Sequence, residues 1–176
     1  LAGGMITEGR ETRIAAAIEA LKAKLDGWSA DQIEAHIARG NASYWLSFDT
    51  DTLARHARLV HDAEAAGRDL TIETRVDSWH AVTEVTIYTP DHAGLFSRLA
   101  GALALAGGNI VDAKIFTLAN GMALDTFNLQ DAEGQAIEGA DRIARLTAMV
   151  EKVLQARGAA LPELDKPIST IPSRLS

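Results

Sequence analysis

The stretch that decides the fold lies at residues 70–90 and has the sequence LTIETRVDSWHAVTEVTIYTP. Between residues 70 and 77, apolar or β-branched side chains alternate with polar ones, a two-residue period typical of a half-buried β-strand. After a four-residue turn, residues 82–89 are rich in β-branched side chains and form a second strand. Pro90 ends it, because proline cannot donate a hydrogen bond to a neighbouring strand. The pattern therefore predicts an antiparallel hairpin. The side chains predicted to face the core are Leu70, Ile72 and Val76.

The residues after Pro90 continue with a helix and two further strands. Asp91 is expected to cap a helix over 95–106. A third strand follows at 110–118, and Asn120-Gly121 is a strong signal for a two-residue hairpin turn. A fourth strand runs over 122–131. This part of the chain therefore predicts the order strand, helix, strand, strand.

A last helix is predicted over 141–156, from the helical spacing of Ile143, Leu146, Val150 and Val153. A βαββα run forms an antiparallel sheet with both helices on one face, and this plan normally ends with another strand. No strand pattern follows residue 156, so strand 70–77 is expected to fill that place beside 82–89. The predicted fold class is α+β: an N-terminal helical segment, then a ferredoxin-like four-stranded antiparallel sheet whose first strand is 70–77.

The N-terminal residues carry helical signals. Ser29 can cap a helix with Gln32 three residues later, which is a capping box. Residues 43–48 hold three aromatic side chains, and we interpret them as an anchor packed into a core. The predicted division is a helical segment at 1–67, a sheet domain at 68–157 and a linker tail at 158–176, which contains three prolines.

Composition excludes several classes of protein. The net charge of −7 gives no general attraction to nucleic-acid phosphates. The chain has no cysteine, which removes disulfides and thiolate metal sites and suits a reducing cytoplasm. No apolar run reaches the roughly 18 residues that a membrane helix needs. The chain does not begin with methionine, so we expect a piece of a longer protein. Nucleic acid and membrane are therefore not expected partners, and the expected location is the cytoplasm.

No arrangement of residues predicts catalysis or a metal site. His61-Asp62 spells the dipeptide of a metal phosphohydrolase, but the other ligands would have to come from separate helices. We interpret His56 and His61 as surface or interface residues. Asp49-Thr50-Asp51 has the spacing of a magnesium pair but stands at a helix start, where capping explains it. The expectation is therefore no catalytic residue, no metal ligand and no cofactor in this chain.

The loop at 91–95 is the candidate binding site. Free backbone N–H groups at a helix start attract anions such as a carboxylate, and Gly94 allows a ligand to approach the backbone closely. The alternative is an ordinary capped helix with a glycine in its first turn. Asn109 could present its side-chain amide to a ligand, or it could be a left-handed residue that ends the preceding helix.

These residues carry a family resemblance. Asp91-His92-Ala93-Gly94-Leu95 and Gly107-Gly108-Asn109-Ile110 resemble an ACT domain, a small-molecule regulatory module, with Ala93 in place of the usual proline. The wider string 91–113, together with 123–127, is similar to the first ACT domain of the bifunctional protein-PII uridylyltransferase/uridylyl-removing enzymes. Ser43-Tyr44-Trp45-Leu46 and Arg55-His56-Ala57-Arg58 resemble the helical stretch before that domain.

The resemblance implies a regulatory role. In that family an upstream nucleotidyltransferase domain and hydrolase domain act on the PII protein, with Mg²⁺ as the cofactor, and a second ACT domain follows. It implies glutamine, or a similar small amino acid, as the ligand. The alternative is a scaffold that docks a protein partner without a ligand. The residues expected to bind the ligand are Asp91, His92, Ala93, Gly94, Leu95, Asn109 and Ile110.

The two halves of the expected site cannot meet within one ACT unit, because a helix separates them along the chain. One ligand would therefore need the loop of Gly94 from one unit and the segment of Asn109 from another. The strand 110–118 offers an edge for such pairing, so a homodimer is a further expectation.

Overall fold

The computed structural model describes residues 2–156, with side chains from residue 8 onward. The chain divides into two compact units. The first, here called the helical unit, comprises the residues up to Arg68 together with Leu118–Met122. The second, the sheet unit, comprises Asp69–Thr117 and the residues from Ala123 onward. The linker predicted for 158–176 lies outside the described residues and stays a prediction.

Four helices form the helical unit: α1 at Ala2–Lys22, α2 at Ala30–Arg39, α3 at Ala42–Ser47 and α4 at Thr50–Ala65. The predicted capping box at Ser29 is confirmed. The backbone N–H of Gln32 donates to Ser29 Oγ at 3.2 Å, and the backbone N–H of Ser29 donates to Gln32 Oε1 at 2.9 Å. These bonds satisfy N–H groups that a helix start otherwise leaves without partners.

The core of the helical unit confirms the predicted aromatic anchor. Tyr44 and Trp45 are buried, together with Leu21, Leu53 and Val60. The sequence did not predict that these aromatics belong to a helix of their own, α3. Six residues give too short a stretch for a helical period to be recognised.

The sheet unit contains four strands and two helices. The strands are β1 at Thr71–Asp77, β2 at Val82–Pro90, β3 at Asn109–Thr117 and β4 at Met122–Gln130. Their order across the sheet is β1-β2-β4-β3. β1 pairs antiparallel with β2, from Thr71 opposite Tyr88 to Asp77 opposite Val82. The predicted α+β ferredoxin-like sheet, with its first strand supplied by residues 70–77, is confirmed.

Helix α5 at Leu95–Leu105 and helix α6 at Ala140–Gln155 complete the sheet unit. Their apolar side chains and those of the strands form one core, in which Leu99, Leu103, Phe127 and Val150 are fully buried. Arg98 of α5 donates hydrogen bonds of 3.1 Å to the carbonyl groups of Val153 and Ala156. It therefore satisfies carbonyl groups at the end of α6 that have no partner within the helix.

One part of the predicted hairpin is wrong. Leu70 and Ile72 pack against the core, but the side chain of Val76 is 39% exposed. β1 is an edge strand, and Val76 stands one residue before its end, next to the turn. Fewer side chains surround a residue at the end of an edge strand. The regular alternation of Val76 with polar neighbours therefore does not bury its side chain.

Candidate ligand-binding loop

The loop between β2 and α5 has a backbone conformation that depends on glycine. Gly94 is the N-cap of α5 and has φ +83° and ψ 1°, in the left-handed region. Side chains rarely adopt this conformation, whereas glycine does so without steric cost. A Cβ placed on Gly94 would meet no described atom within 4 Å. The conformation of the backbone therefore calls for glycine, and the space beside it is open.

The expected capping role of Asp91 is wrong. Gly94 occupies the N-cap position itself, and no side chain of the described residues caps α5. Asp91 instead accepts a hydrogen bond of 2.6 Å at its Oδ2 from the hydroxyl of Thr117, the last residue of β3. Asp91 stands three residues before Gly94, and its hydrogen bond to Thr117 connects the loop to the end of β3.

The backbone N–H groups of the loop are partly engaged. The N–H of Leu95 donates to the carbonyl of His92 at 3.1 Å, so this group is already bonded within the loop. His92 Nδ1 donates to the carbonyl of Ala93 at 3.0 Å. The first hydrogen bond of the helical pattern runs from the N–H of Arg98 to the carbonyl of Gly94, at 3.1 Å. Because no side chain caps this start, the N–H groups of its first turn suit a carboxylate.

Asn109 and Ile110 lie far from this loop. Asn109 opens β3 and pairs with Gln130, whereas Thr117, beside Asp91, closes β3. β3 has nine residues, and at the usual rise per residue its ends are about 27 Å apart. The side chain of Ile110 belongs to the core, and the residue pairs with Leu129 of β4. The structure brings residues 91–95 together and leaves the Asn109 segment at the other end of the strand.

The alternative reading of Asn109 as a left-handed helix end is wrong. The left-handed position after α5 belongs to Gly107, with φ +93°. Asn109 is an exposed residue of β3 with strand geometry. The Asn109 side chain therefore does not cap α5.

The sequence did not predict the burial of Asp125, whose carboxyl group interacts with that of Asp91 in the loop. Asp125 of β4 is 1% exposed, and the N–H of Phe116 donates to its Oδ1 at 3.3 Å. The pKa of Asp125 is raised to about 7, mainly by burial; the hydrogen bond from the Phe116 N–H acts against this rise, and the charge of Asp91 adds to it. The available signal was an acidic residue directly after three apolar residues of a predicted strand, a position where a carboxyl group is rarely buried unless paired.

The helical unit also corrects one histidine assignment. His56 is 2% exposed, and its Nδ1 shares a hydrogen bond of 2.7 Å with the hydroxyl of Tyr44. The interpretation as a surface or interface residue is therefore wrong for His56, because α4 turns this side chain into the aromatic core. His61 is half-exposed, with Nδ1 3.5 Å from Asp62 Oδ1.

Metal chemistry finds no support in the described part of the chain. Within residues 8–156, no three His, Asp or Glu side chains come together in a way that could hold a metal ion. In the same part of the chain, no helix combines the length and the apolar character of a membrane span.

Curated relatives cover nearly all of this chain. It is 52% identical over 167 residues to the bifunctional uridylyltransferase/uridylyl-removing enzyme of Azospirillum brasilense, covering 94% of this chain and 18% of the relative. The enzyme of the same name from Rhodospirillum rubrum is 42% identical, and the match covers 99% of this chain and 20% of the relative. The enzyme from Gluconobacter oxydans is 44% identical, and the match covers 89% of this chain and 17% of the relative. No family model matches the chain. The chain thus spans about a fifth of the length of the relatives it matches.

Proposed function

We propose that the chain is one segment of a bifunctional uridylyltransferase/uridylyl-removing enzyme and that this segment is the amino-acid sensor of that enzyme. Its similarity to relatives of that name over 94% and 99% of its length supports the first part. The ligand is glutamine. The catalytic domains upstream transfer uridylyl groups to the PII protein and remove them, with Mg²⁺ serving those domains in the cytoplasm. Glutamine bound to this segment favours removal, and its absence favours transfer.

The open start of α5 is the observation that carries the proposal. Gly94 leaves the backbone accessible, and the first turn of α5 has no side-chain cap within the described residues. A carboxylate placed there would accept hydrogen bonds from backbone N–H groups and meet the positive end of the helix dipole. The bond between Asp91 and Thr117 holds the loop in place for this contact.

A second ACT unit completes the proposed site. The Asn109 segment lies at the far end of β3, so it would contact the ligand bound at Gly94 of another unit. β3 stands at the end of the strand order, where its outer backbone groups suit strand pairing. A ligand shared by two units would favour the paired state, and unequal binding to two states is what regulation requires.

Isothermal titration calorimetry tests the proposal. Glutamine is titrated into the 176-residue chain and into a longer chain that continues through the following domain, with glutamate and asparagine as competitors. We expect the longer chain to bind glutamine more tightly. Undiminished affinity in a verified monomer of the 176-residue chain would contradict the shared site.

Gly94→Val separates the sensor from a scaffold that has no ligand. The valine side chain would disfavour φ +83° and block the approach to the backbone, so glutamine affinity should fall more than about tenfold. Gly67→Val is the matched control, because Gly67 also has a positive φ and open space around it. Unchanged binding by a folded Gly94→Val variant would remove the loop from the site, and a chain without any glutamine heat would favour the scaffold.

A further inference from the structure

The free edge of β1 has features that the proposed function does not use. β1 stands at one end of the strand order, so one side of its backbone has no strand beside it within the described residues. Edge strands of soluble proteins commonly carry charges that oppose pairing with another chain. The charges of β1 are Glu73, Arg75 and Asp77, so both signs occur on this edge. Their spacing therefore decides whether a second copy of the strand is repelled or attracted.

Exposed apolar side chains are concentrated at the turn end of β1. Val76 is 39% exposed, and Trp79, in the turn that follows, is 90% exposed. Only Leu46 of the helical unit joins them as an exposed large apolar side chain among residues 8–156. The turn is held by His80, whose N–H donates to Asp77 Oδ1 at 3.1 Å and whose Nδ1 lies 2.7 Å from Asp77 Oδ2. Trp79 is therefore presented to solvent by a fixed turn, which reduces the entropic cost of a contact there.

Backbone geometry limits how two copies of β1 can pair. Successive residues of a strand direct their N–H and C=O groups alternately to its two sides. Every second residue of β1 therefore bonds to β2, and the residues between them have free backbone groups at the edge. Two copies can pair antiparallel only if free residues lie opposite free residues. A residue must then lie opposite its own copy on the two-fold axis.

The charges select one of these registers. With Thr74 on the axis, all seven residues of β1 pair, and Glu73 lies opposite Arg75 of the second copy, twice by symmetry. With Glu73 on the axis two carboxylates would face each other, and with Arg75 on the axis two guanidinium groups would. Opposite charges directly across a strand pair are favourable, whereas like charges are unfavourable. Arg75 already donates to Glu84 Oε2 at 3.3 Å, but its side chain is 43% exposed and has further donors for a second carboxylate.

The same register covers the exposed apolar side chains. It places Val76 opposite Ile72 of the second copy, and residues directly opposite each other point to the same face of a sheet. Ile72 packs against the core of the sheet unit, so Val76 would extend that core across the interface. Trp79 stands two residues beyond the end of β1, beside the start of the strand in the second copy. Pairing would thus remove apolar surface from water at both ends of the interface.

We propose that two copies of this chain pair antiparallel through β1, with Thr74 on the two-fold axis, and form one continuous sheet of eight strands. Pairing of a seven-residue strand buries a small area, so the dimer is weak and depends on concentration. This interface lies at the opposite edge of the sheet from β3 and does not depend on the amino-acid proposal.

Sedimentation velocity of the 176-residue chain without glutamine tests the dimer. We expect a monomer–dimer equilibrium that becomes visible at protein concentrations below about 1 mM, the range of weak interfaces. Glu73→Arg and Arg75→Glu each place like charges opposite one another, twice in each dimer. Each variant should therefore weaken self-association at least about tenfold. Thermal melting shows whether each variant is folded.

Mixing the two variants tests the register itself. One chain then carries two positive charges at positions 73 and 75 and the other carries two negative charges, so every facing pair again has opposite signs. The mixture should form a heterodimer at least as tight as the parent dimer. Asp112→Arg, a charge reversal on the other edge strand β3, is the matched control and should leave self-association unchanged.

Three results would each overturn the proposal. The first is a parent chain that stays strictly monomeric up to about 1 mM. The second is a folded Glu73→Arg variant that dimerises as the parent does, and this result decides alone if Arg75→Glu does not fold. The third is a mixture of the two folded variants that does not associate.

Discussion

The two units of this chain bury ionisable groups of opposite kind. Among residues 8–156, the helical unit buries the imidazoles of His36 and His56, and the sheet unit buries the carboxyl group of Asp125. Burial disfavours the charged form in each case, lowering the pKa of His36 to about 4 and of His56 to about 3, and raising that of Asp125 to about 7. The same physical cause therefore gives the two units opposite responses to acid.

The signs follow from proton binding in the folded and unfolded states. An unfolded histidine takes up a proton below pH 6.5, whereas the buried histidines resist it, so the helical unit loses stability as the pH falls from 6.5 towards 4. Folded Asp125 keeps its proton up to about pH 7, whereas the unfolded chain loses it near 3.8. The stability that Asp125 contributes is therefore present in acid and lost as the pH rises through 7.

The largest expected effect is a selective acid response. Lowering the pH from 7 to 4.5 should destabilise the helical unit by several kcal/mol, since each histidine pKa is at least two units below its ordinary value. Hydrogen exchange followed by mass spectrometry, with each rate divided by the intrinsic rate at the same pH, should show weaker protection in α4 and unchanged or stronger protection in β4 at the lower pH. Equal loss of protection in both elements would contradict the comparison.

Asp125→Asn should remove the opposite response. The amide cannot ionise but can still accept from Phe116 N–H, so at pH 8 the variant should be more stable by about 2–4 kcal/mol. Urea unfolding across pH 5–8 measures this, and its slope with pH should flatten. Asp112→Asn, on the edge strand β3, is the control and should leave the slope unchanged. A variant as pH-dependent as the parent would show that Asp125 titrates normally.

A glycine substitution tests how tightly the helical core is packed. A Cβ at Gly40 would collide with the ring of Trp45, so Gly40→Ala should cost about 1–3 kcal/mol. Gly9→Ala is the control: Gly9 lies in α1, and its Cβ would meet no described atom within 4 Å. Alanine there should stabilise α1 by up to about 1 kcal/mol. Chemical denaturation measures the free energy of unfolding of both variants. A Gly40→Ala variant as stable as Gly9→Ala would mean that the Trp45 ring moves aside.

The smallest effect belongs to the edge strand. Val76→Thr should change stability by less than about 0.5 kcal/mol, because its side chain is already 39% exposed. Ile72→Thr should cost more, since Ile72 packs against the core of the sheet unit. Thermal melts of both variants give the order. A larger cost for Val76 than for Ile72 would restore the inward orientation that the alternation predicted.

Local pattern was enough for most of the fold. The alternation at 70–77, the proline at the end of β2 and the capping box at Ser29 are each recognised within a few residues, and the structure contains all three. The two-residue turn predicted at Asn120-Gly121 is wrong: β3 and β4 form the hairpin, but the N–H of Leu118 donates to the carbonyl of Met122, so the loop also includes Ala119, and Asn120 does not have a positive φ. The pairing of β1 with β2 followed from a four-residue turn.

The candidate site shows where local reading stops. The loop at Gly94 was found because glycine and a helix start are neighbours in the chain. The partner of Asp91 was missed, since Thr117 is 26 residues away and only the sheet brings it to the loop. The burial of His56 was missed in the same way, because the face of α4 that meets Tyr44 depends on how α3 packs.

By itself, the sequence determined the α+β class, the order of the helices and strands apart from α3, and the position of the loop at Gly94 between β2 and α5. Only the tertiary structure decided which ionisable side chains lose contact with water and why Val76 stays exposed. The reason is physical: hydrogen-bond periodicity and capping act over a few residues, whereas desolvation depends on everything that packs around a side chain.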